Sequence, residues 1–288
     1  MLTILAPAKI NLTLEVLAER PDGYHEIRSV IQTVNLCDRL RFRLSHNIRF
    51  TCDKPELVVE ESLVSRTNVL LQQATGCAKG AKIEIAKRIP LTSGLGGDSS
   101  DAAAILHGLN RLWELGLSPA ELLELALKLG SDVPFFLYGG TALVEGRGER
   151  VTPLPPLPHR WVVLVVPDMP REAGKTKQLY ASLKQNHYSD GQITKRFIKA
   201  LKTDGEFKPS MLFNTFENVA FDQFPGLKVH KEHFIKLGAQ NVHLAGSGPA
   251  LFTMIKDRAE AEDLYTRCKQ QGMETYLAET TTNKGGTQ

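Results

Sequence analysis

Apolar and polar residues alternate from Thr3 to Leu17, with Ile10, Leu12, Leu14 and Val16 on one side. A period of two is the mark of a strand. Asp22-Gly23 reads as a turn. Val30 to Val34, Arg39 to Leu44, Ile48 to Cys52 and Lys82 to Ile85 read as further strands. Before the last of these, Thr67 to Ala78 places Val69, Leu70 and Ala74 on one side of a helix. The chain up to about residue 90 is thus strand-rich with a helix inserted.

Two better-marked helices follow. Ala102 to Trp113 sets Ile105, Leu106, Leu109, Leu112 and Trp113 at helical spacing. Ser118-Pro119-Ala120-Glu121 is a capping box with proline at the first helical position. It opens a helix through Leu122, Leu125, Ala126 and Leu129 that stops at Gly130. Pro153-Leu154-Pro155-Pro156-Leu157-Pro158 is a stiff connector and the expected boundary between domains 1–152 and 153–288. Beyond it lie a strand at Trp161 to Val166 and then helical and polar segments. The end resembles a split β-α-β unit: helix Val229 to Leu237, strands Val242 to Leu244 and Leu251 to Ile255, helix Ala259 to Lys269. Residues after Thr280 are small and polar and are expected to fray. No internal repeat is evident.

Composition narrows the classes. With 42% hydrophobic and 23% charged residues in 288, the chain can bury a core, and wholesale disorder is excluded. The longest apolar run, Trp161 to Val166, is too short to cross a bilayer. Met1-Leu2-Thr3-Ile4 reaches Pro7 and Lys9 without the pattern of a signal peptide, and a cytoplasmic location is expected. Cys37, Cys52, Cys77 and Cys268 are scattered, with neither metal-site spacing nor the density of a disulfide framework. The net charge of +3 suits anionic ligands. No basic stripe with interleaved aromatics is present, so neither nucleic acid nor membrane is an expected partner. Oligomeric state and metal ligands are not legible.

The chemistry concentrates in Pro90-Leu91-Thr92-Ser93-Gly94-Leu95-Gly96-Gly97-Asp98-Ser99-Ser100, which runs directly into a helix. Glycines let the backbone approach phosphate oxygens, and a helix start offers N–H groups and a favourable dipole. Ser99 and Ser100 add hydroxyl donors. Gly-Lys-Ser/Thr is absent, as is the third glycine of a dinucleotide fingerprint. A flexible helix-capping turn is the plain alternative, and the two serines favour a phosphate site.

Pro90-x-x-x-Gly94-Leu95-Gly96-Gly97-x-Ser99-Ser100-x-Ala102-Ala103 resembles the second motif of the GHMP kinases, the family of galactokinase, homoserine kinase, mevalonate kinase and phosphomevalonate kinase. Three further stretches carry the likeness: Pro7-Ala8-Lys9-Ile10-Asn11-Leu12, Arg20-Pro21-Asp22-Gly23-Tyr24-His25-Glu26 and Gly130-Ser131-Asp132-Val133-Pro134-Phe135-Phe136. Ala245-Gly246-Ser247-Gly248-Pro249 looks like the third family motif. Within the family the likeness is strongest to the branch whose substrate carries a cytidine diphosphate. The resemblance implies a two-domain α+β fold, ribosomal-S5-like then ferredoxin-like, with the active site in the cleft between the halves. It also implies transfer of a phosphoryl group from ATP, with Mg2+, to the 2-hydroxyl of the methylerythritol part of that substrate.

Residue by residue, the same resemblance assigns roles. Asp132 alone reads as a turn or N-cap aspartate, in a loop that Pro134 extends. On the motif it is the base that receives the hydroxyl proton. Lys9, otherwise a solvated strand lysine, would sit beside Asp132 and the transferring phosphate. Asn11 shares a strand face with Lys9 and can reach the same cleft. Tyr24 and His25 could be a surface packing pair; on the motif Tyr24 stacks on cytosine and His25 bonds its polar edge. Thr176 followed four residues later by Tyr180 nominates a second stacking aromatic, with a helix-surface tyrosine as the alternative. Gly246 and Ser247 would approach the substrate, and Asn68 would border the adenine.

Asp98 departs from the family, which usually has glycine there. A carboxylate about 6 Å from a phosphate costs about 3 kcal/mol at an effective dielectric near 20. It must either point away and cap the helix or face a magnesium ion. Two rivals are weighed: another member such as a homoserine or mevalonate-type kinase, and a non-catalytic sensor of the same fold. The first lacks a reason for Tyr24-His25; the second would have lost Lys9, Asp132 or the loop serines, and all are present.

Overall fold

The computed structural model describes residues 1–54, 62–170, 174–203 and 207–282. Strand β1 (Leu2–Glu19) forms a long antiparallel pair with β2 (His25–Ser45) across the Asp22-Gly23 turn. The two strands read at Val30 to Val34 and Arg39 to Leu44 are one: a register shift between Pro7 and Ala8 lets β2 continue past them. Along β1 every second residue from Ile4 to Leu12 is buried, so the face is kept while the core changes. Ile4 and Ala6 enter one core, while Ala8, Ile10 and Leu12 enter another.

The other edge of β2 is divided between β4 (Gly80–Ala86) and β5 (Thr141–Gly146), which forms a hairpin with β6 (Arg150–Pro153). β3 (Arg49–Cys52) pairs in parallel with β4. One face carries α1 (Leu63–Thr75), α2 (Gly97–Leu112), α3 (Pro119–Leu129) and α4 (Val133–Tyr138) over a core that includes Phe42, Trp113 and Phe135. The capping box at Ser118 and Glu121 is formed as read. Helix α1 begins and ends earlier than the periodicity suggests. Ser62 caps it by accepting from Ser65 N, and Gly76, at φ 67°, stops it before Ala78.

After Pro153 the chain enters a second antiparallel sheet in the order β11-β7-β10-β9, from β7 (Trp161–Val166), β9 (His243–Leu244), β10 (Leu251–Ile255) and β11 (Glu274–Glu279). Helices α5 (Lys175–Ser182), α6 (Gln192–Lys202), α7 (Glu217–Gln223), α8 (Pro225–Lys236) and α9 (Arg258–Gln270) accompany it. The halves interlock: β8 (Phe213–Asn214) adds a parallel strand to β1. Thr281, expected to fray, instead docks beside Thr280 on β2, where Thr281 N donates to Thr33 O at 3.0 Å. Beyond Thr282 the expected frayed tail lies outside the described residues.

Candidate active site

Lys9 is 4% exposed, and its ammonium donates to Asn11 Oδ1 at 2.9 Å. Asn11 in turn donates to Ser29 Oγ at 2.9 Å on the neighbouring strand. A buried lysine so held has one orientation, toward Asp132, whose Oδ2 lies 3.5 Å from Nζ. Asp132 is not in an extended loop. It takes the αR conformation as the residue before α4, because Pro134 falls in the first helical turn, where its missing N–H costs nothing. Its side chain makes no capping hydrogen bond, so the carboxylate is left to Lys9.

The glycine loop closes over the same point. Lys9 N donates to Leu95 O at 2.9 Å. Helix α2 begins at Gly97, five residues before the start read at Ala102, so Gly97 to Ser100 form its first turn rather than the loop before it. Gly96 precedes it at φ 74°, a conformation that glycine adopts without strain. Gly94, at φ 85°, faces Ala245 O and Gly248 N so closely that a Cβ would collide with both. Ser93 O accepts from Ala250 N at 3.0 Å, which joins the second motif to the third. A Cβ on Gly246 would lie 3.1 Å from Lys9 Nζ. Both glycine motifs therefore close around the lysine.

A cleft of about 1130 Å³ opens here. Pro90, Thr92 to Gly94 and Gly96 to Ser99 line it, together with Lys9, Asn11, Asp132, Gly246 and Ser247. Asp98 does not cap α2; it is about half exposed, with Oδ1 4.0 Å from Lys87 Nζ.

On the wall of the same cleft, His25 stacks on Tyr180 with ring centroids 4.6 Å apart and planes 24° apart. Phe216 meets Tyr180 edge-on at 4.8 Å. Burial, then the nearby charge of Asp132, raises the Tyr180 hydroxyl above its ordinary pKa. Burial holds His25 below the usual histidine value, with Glu19 pulling weakly the other way. Tyr24, also on the cleft wall, is 52% exposed, with the Arg147 guanidinium 5.0 Å from its ring centroid. Thr176 Oγ1 and Ser247 Oγ are 2.7 Å apart, and both residues line the cleft.

Some expected residues are not on the wall. Leu91 and Leu95 contribute backbone or packing, and Ser100 is buried beneath the loop with its Oγ unpartnered among the described residues. Asn68 is buried in α1, where its amide donates to Gln72 Oε1 at 3.3 Å. Others were not read from sequence. Asn214 donates to Leu244 O and Gly246 O, at 2.9 and 2.8 Å, and so holds the third motif in place. Tyr188 OH is 3.3 Å from His25 Nε2. Arg147 sits between Gly146 and Gly148 at a hairpin tip, a spacing that could have flagged it. Asn214 and Tyr188 carry no local signal.

Comparison with known proteins agrees with this geometry. Residues 62–140 match the GHMP kinases N terminal domain, and residues 197–273 match the GHMP kinases C terminal domain. A 4-diphosphocytidyl-2-C-methyl-D-erythritol kinase of Dehalococcoides mccartyi is 49% identical over 97% of this chain and 98% of its own. One of Symbiobacterium thermophilum is 40% identical over 95% and 97%. The crystal structure of a 4-(cytidine 5'-diphospho)-2C-methyl-D-erythritol kinase superposes with a TM-score of 0.82 at 32% identity, covering 99% of this chain and 100% of that one. A homoserine kinase from Cytophaga hutchinsonii shares the fold at a TM-score of 0.75 and 19% identity, covering 99% and 95%. Motifs, cleft and relatives agree: the chain belongs to the GHMP kinases, and among them to the 4-diphosphocytidyl-2-C-methyl-D-erythritol kinase family.

Proposed function

We propose that the chain transfers the terminal phosphoryl group of ATP to the 2-hydroxyl of 4-diphosphocytidyl-2-C-methyl-D-erythritol, giving the 2-phosphate and ADP for isoprenoid precursor synthesis. The observation that carries this reading is one cleft lined both by the Lys9–Asp132 pair under a glycine loop and by the His25–Tyr180 stack. The substrate oxygen bonds to the γ-phosphorus as the bond from that phosphorus to the bridging oxygen breaks. Asp132 takes the hydroxyl proton, and Lys9 offsets charge on the phosphoryl oxygens. Such a transition state is loose and depends more on positioning than on deprotonation. Residues 1–152 then form the nucleotide half and residues 153–288 complete the substrate side.

Cytosine would stack against Tyr24 and Tyr180 and bond to His25, with Thr176, Ser247, Gly246 and Asn11 around the rest of the substrate. ATP phosphates would lie along Pro90 to Ser100, with adenine toward Asn68. Mg2+ fits the charge of the site. Asp38, Asp98 and Asp101 place three carboxylates around the single ammonium of Lys87, and Asp98 is the exposed one, facing the cleft. Magnesium usually takes one or two carboxylates plus substrate phosphates, and it would neutralise the phosphates there. We assign the chain to the cytoplasm on its four free cysteines.

ADP release is the test, measured with the cytidyl substrate, homoserine and mevalonate in parallel. The expected result is turnover with the cytidyl substrate alone; turnover with either of the others in its place would overturn the substrate assignment.

A further inference from the structure

We propose that Lys87 is a positioning residue for the phosphate loop, acting through Asp38 and Asp101 and touching no substrate. Its ammonium is buried, 2.6 Å from Asp38 Oδ2 on β2 and 2.8 Å from Asp101 Oδ2 in α2. Asp38 Oδ1 accepts from Arg88 N and Ile89 N, at 2.5 and 2.9 Å, and so fixes the backbone just before Pro90. The ammonium also lies against the loop itself, 3.2 Å from where a Cβ on Gly97 would stand. One lysine thus joins three pieces: the strand beneath, the approach to the loop and the first turn of the helix that follows.

The pair is an expensive way to fill a core. Buried ion pairs are often no more stabilising than apolar side chains of similar volume, and orientation is one use that justifies them. Asp101 Oδ1 has no hydrogen-bond partner among the described residues, which fits a carboxylate placed to orient Lys87 rather than to satisfy itself. The backbone N–H groups of Gly97 to Ser99 must point at phosphate oxygens to within fractions of an ångström to be useful, since Ser100 N already donates to Gly96 O.

This inference rests on the loop's assignment to ATP and leaves the cytidyl end aside. Asp101→Ala cuts the tie to α2 and keeps the Lys87–Asp38 pair, so it is the gentler variant; Lys87→Met removes the hub. Both are assayed for KM of ATP, KM of the cytidyl substrate, turnover and melting temperature. We expect KM for ATP to rise at least fivefold in Asp101→Ala and more in Lys87→Met, with KM for the cytidyl substrate within twofold of wild type. If Lys87→Met does not fold, Asp101→Ala decides. An unchanged KM for ATP in folded Asp101→Ala, with only a lower melting temperature or a lower active fraction, makes the cluster merely structural and overturns the proposal. Wild-type protein that turns over no cytidyl substrate would sink the functional reading instead, a separate outcome.

Discussion

Lys9 Nζ stands 3.5 Å from Asp132 Oδ2, yet one residue is almost fully buried on β1 and the other is partly open at the head of α4. The lysine is fixed by Asn11, while the carboxylate keeps access to the cleft. A group that accepts a proton from a bound hydroxyl needs that access.

Asp132→Asn keeps the shape and removes the base. Turnover should fall by about two orders of magnitude or more, the usual scale of an acid–base contribution. Substrate KM should hardly change, and stability should drop by no more than about 1 kcal/mol, since the pair is open on one side. Near-normal turnover in steady-state assays would make Asp132 structural.

Tyr24→Ala removes one face of the proposed base pocket. KM for the cytidyl substrate should rise about ten- to a hundredfold, the equivalent of about 1–3 kcal/mol for one lost stack. KM for ATP should stay put, because Tyr24 belongs to the proposed base pocket and not to the glycine loop. Equal losses for both substrates, or none, would misplace the pocket.

His25 supplies a pH test. Burial lowers its pKa, so the ring is neutral at neutral pH and takes a proton only below the ordinary value of about 6.5. Because the unfolded chain binds that proton more readily, His25 favours the folded state above that value and ceases to as pH falls through its lowered pKa. KM for the cytidyl substrate should therefore be flat above about pH 6.5 and rise below it, as the ring loses its acceptor nitrogen. His25→Ala should abolish that rise and weaken the choice of cytidine over uridine substrates. Persistence of the same inflection in His25→Ala would assign it to another group.

Asp98→Gly restores the residue usual in the family. With three carboxylates around Lys87, removing the exposed one should leave the fold intact and raise the magnesium needed for half-maximal rate several-fold. Tighter ATP binding with an unchanged magnesium requirement would mean that Asp98 only repels phosphate.

The motifs were legible because each needs particular residues in fixed order. Lys9 and Asn11 were placed on one face by alternation alone, and the structure joins them directly. The Ser118 box was legible because both halves of a cap are local. The start of α2 was not, since glycines lower helix propensity and the turn at Gly97 is held by tertiary contacts with Lys87 and Ile89. Helix α4 was hidden by Pro134, which can mark either an extended segment or a first turn. Asp38, Asn214 and Tyr188 act on partners tens to hundreds of residues away, and no sequence window contains both ends.

The parallel pairing of β8 with β1 has a consequence for how the protein is made. Val16 N donates to Thr215 Oγ1 across 199 residues, and Ser93 O waits for Ala250 N. A ribosome releases the chain from its first residue onward at about 5–20 residues per second. Lys9 therefore emerges well before Thr215 and Ala250, and the third-motif wall of its cleft arrives only after them. Until β8 arrives, Thr13 and Leu14 lack their parallel partners, and an unpaired stretch of strand is the kind of edge that invites pairing with other chains. Closure by the last third of the sequence makes catalytic competence and protection of that edge a single late event.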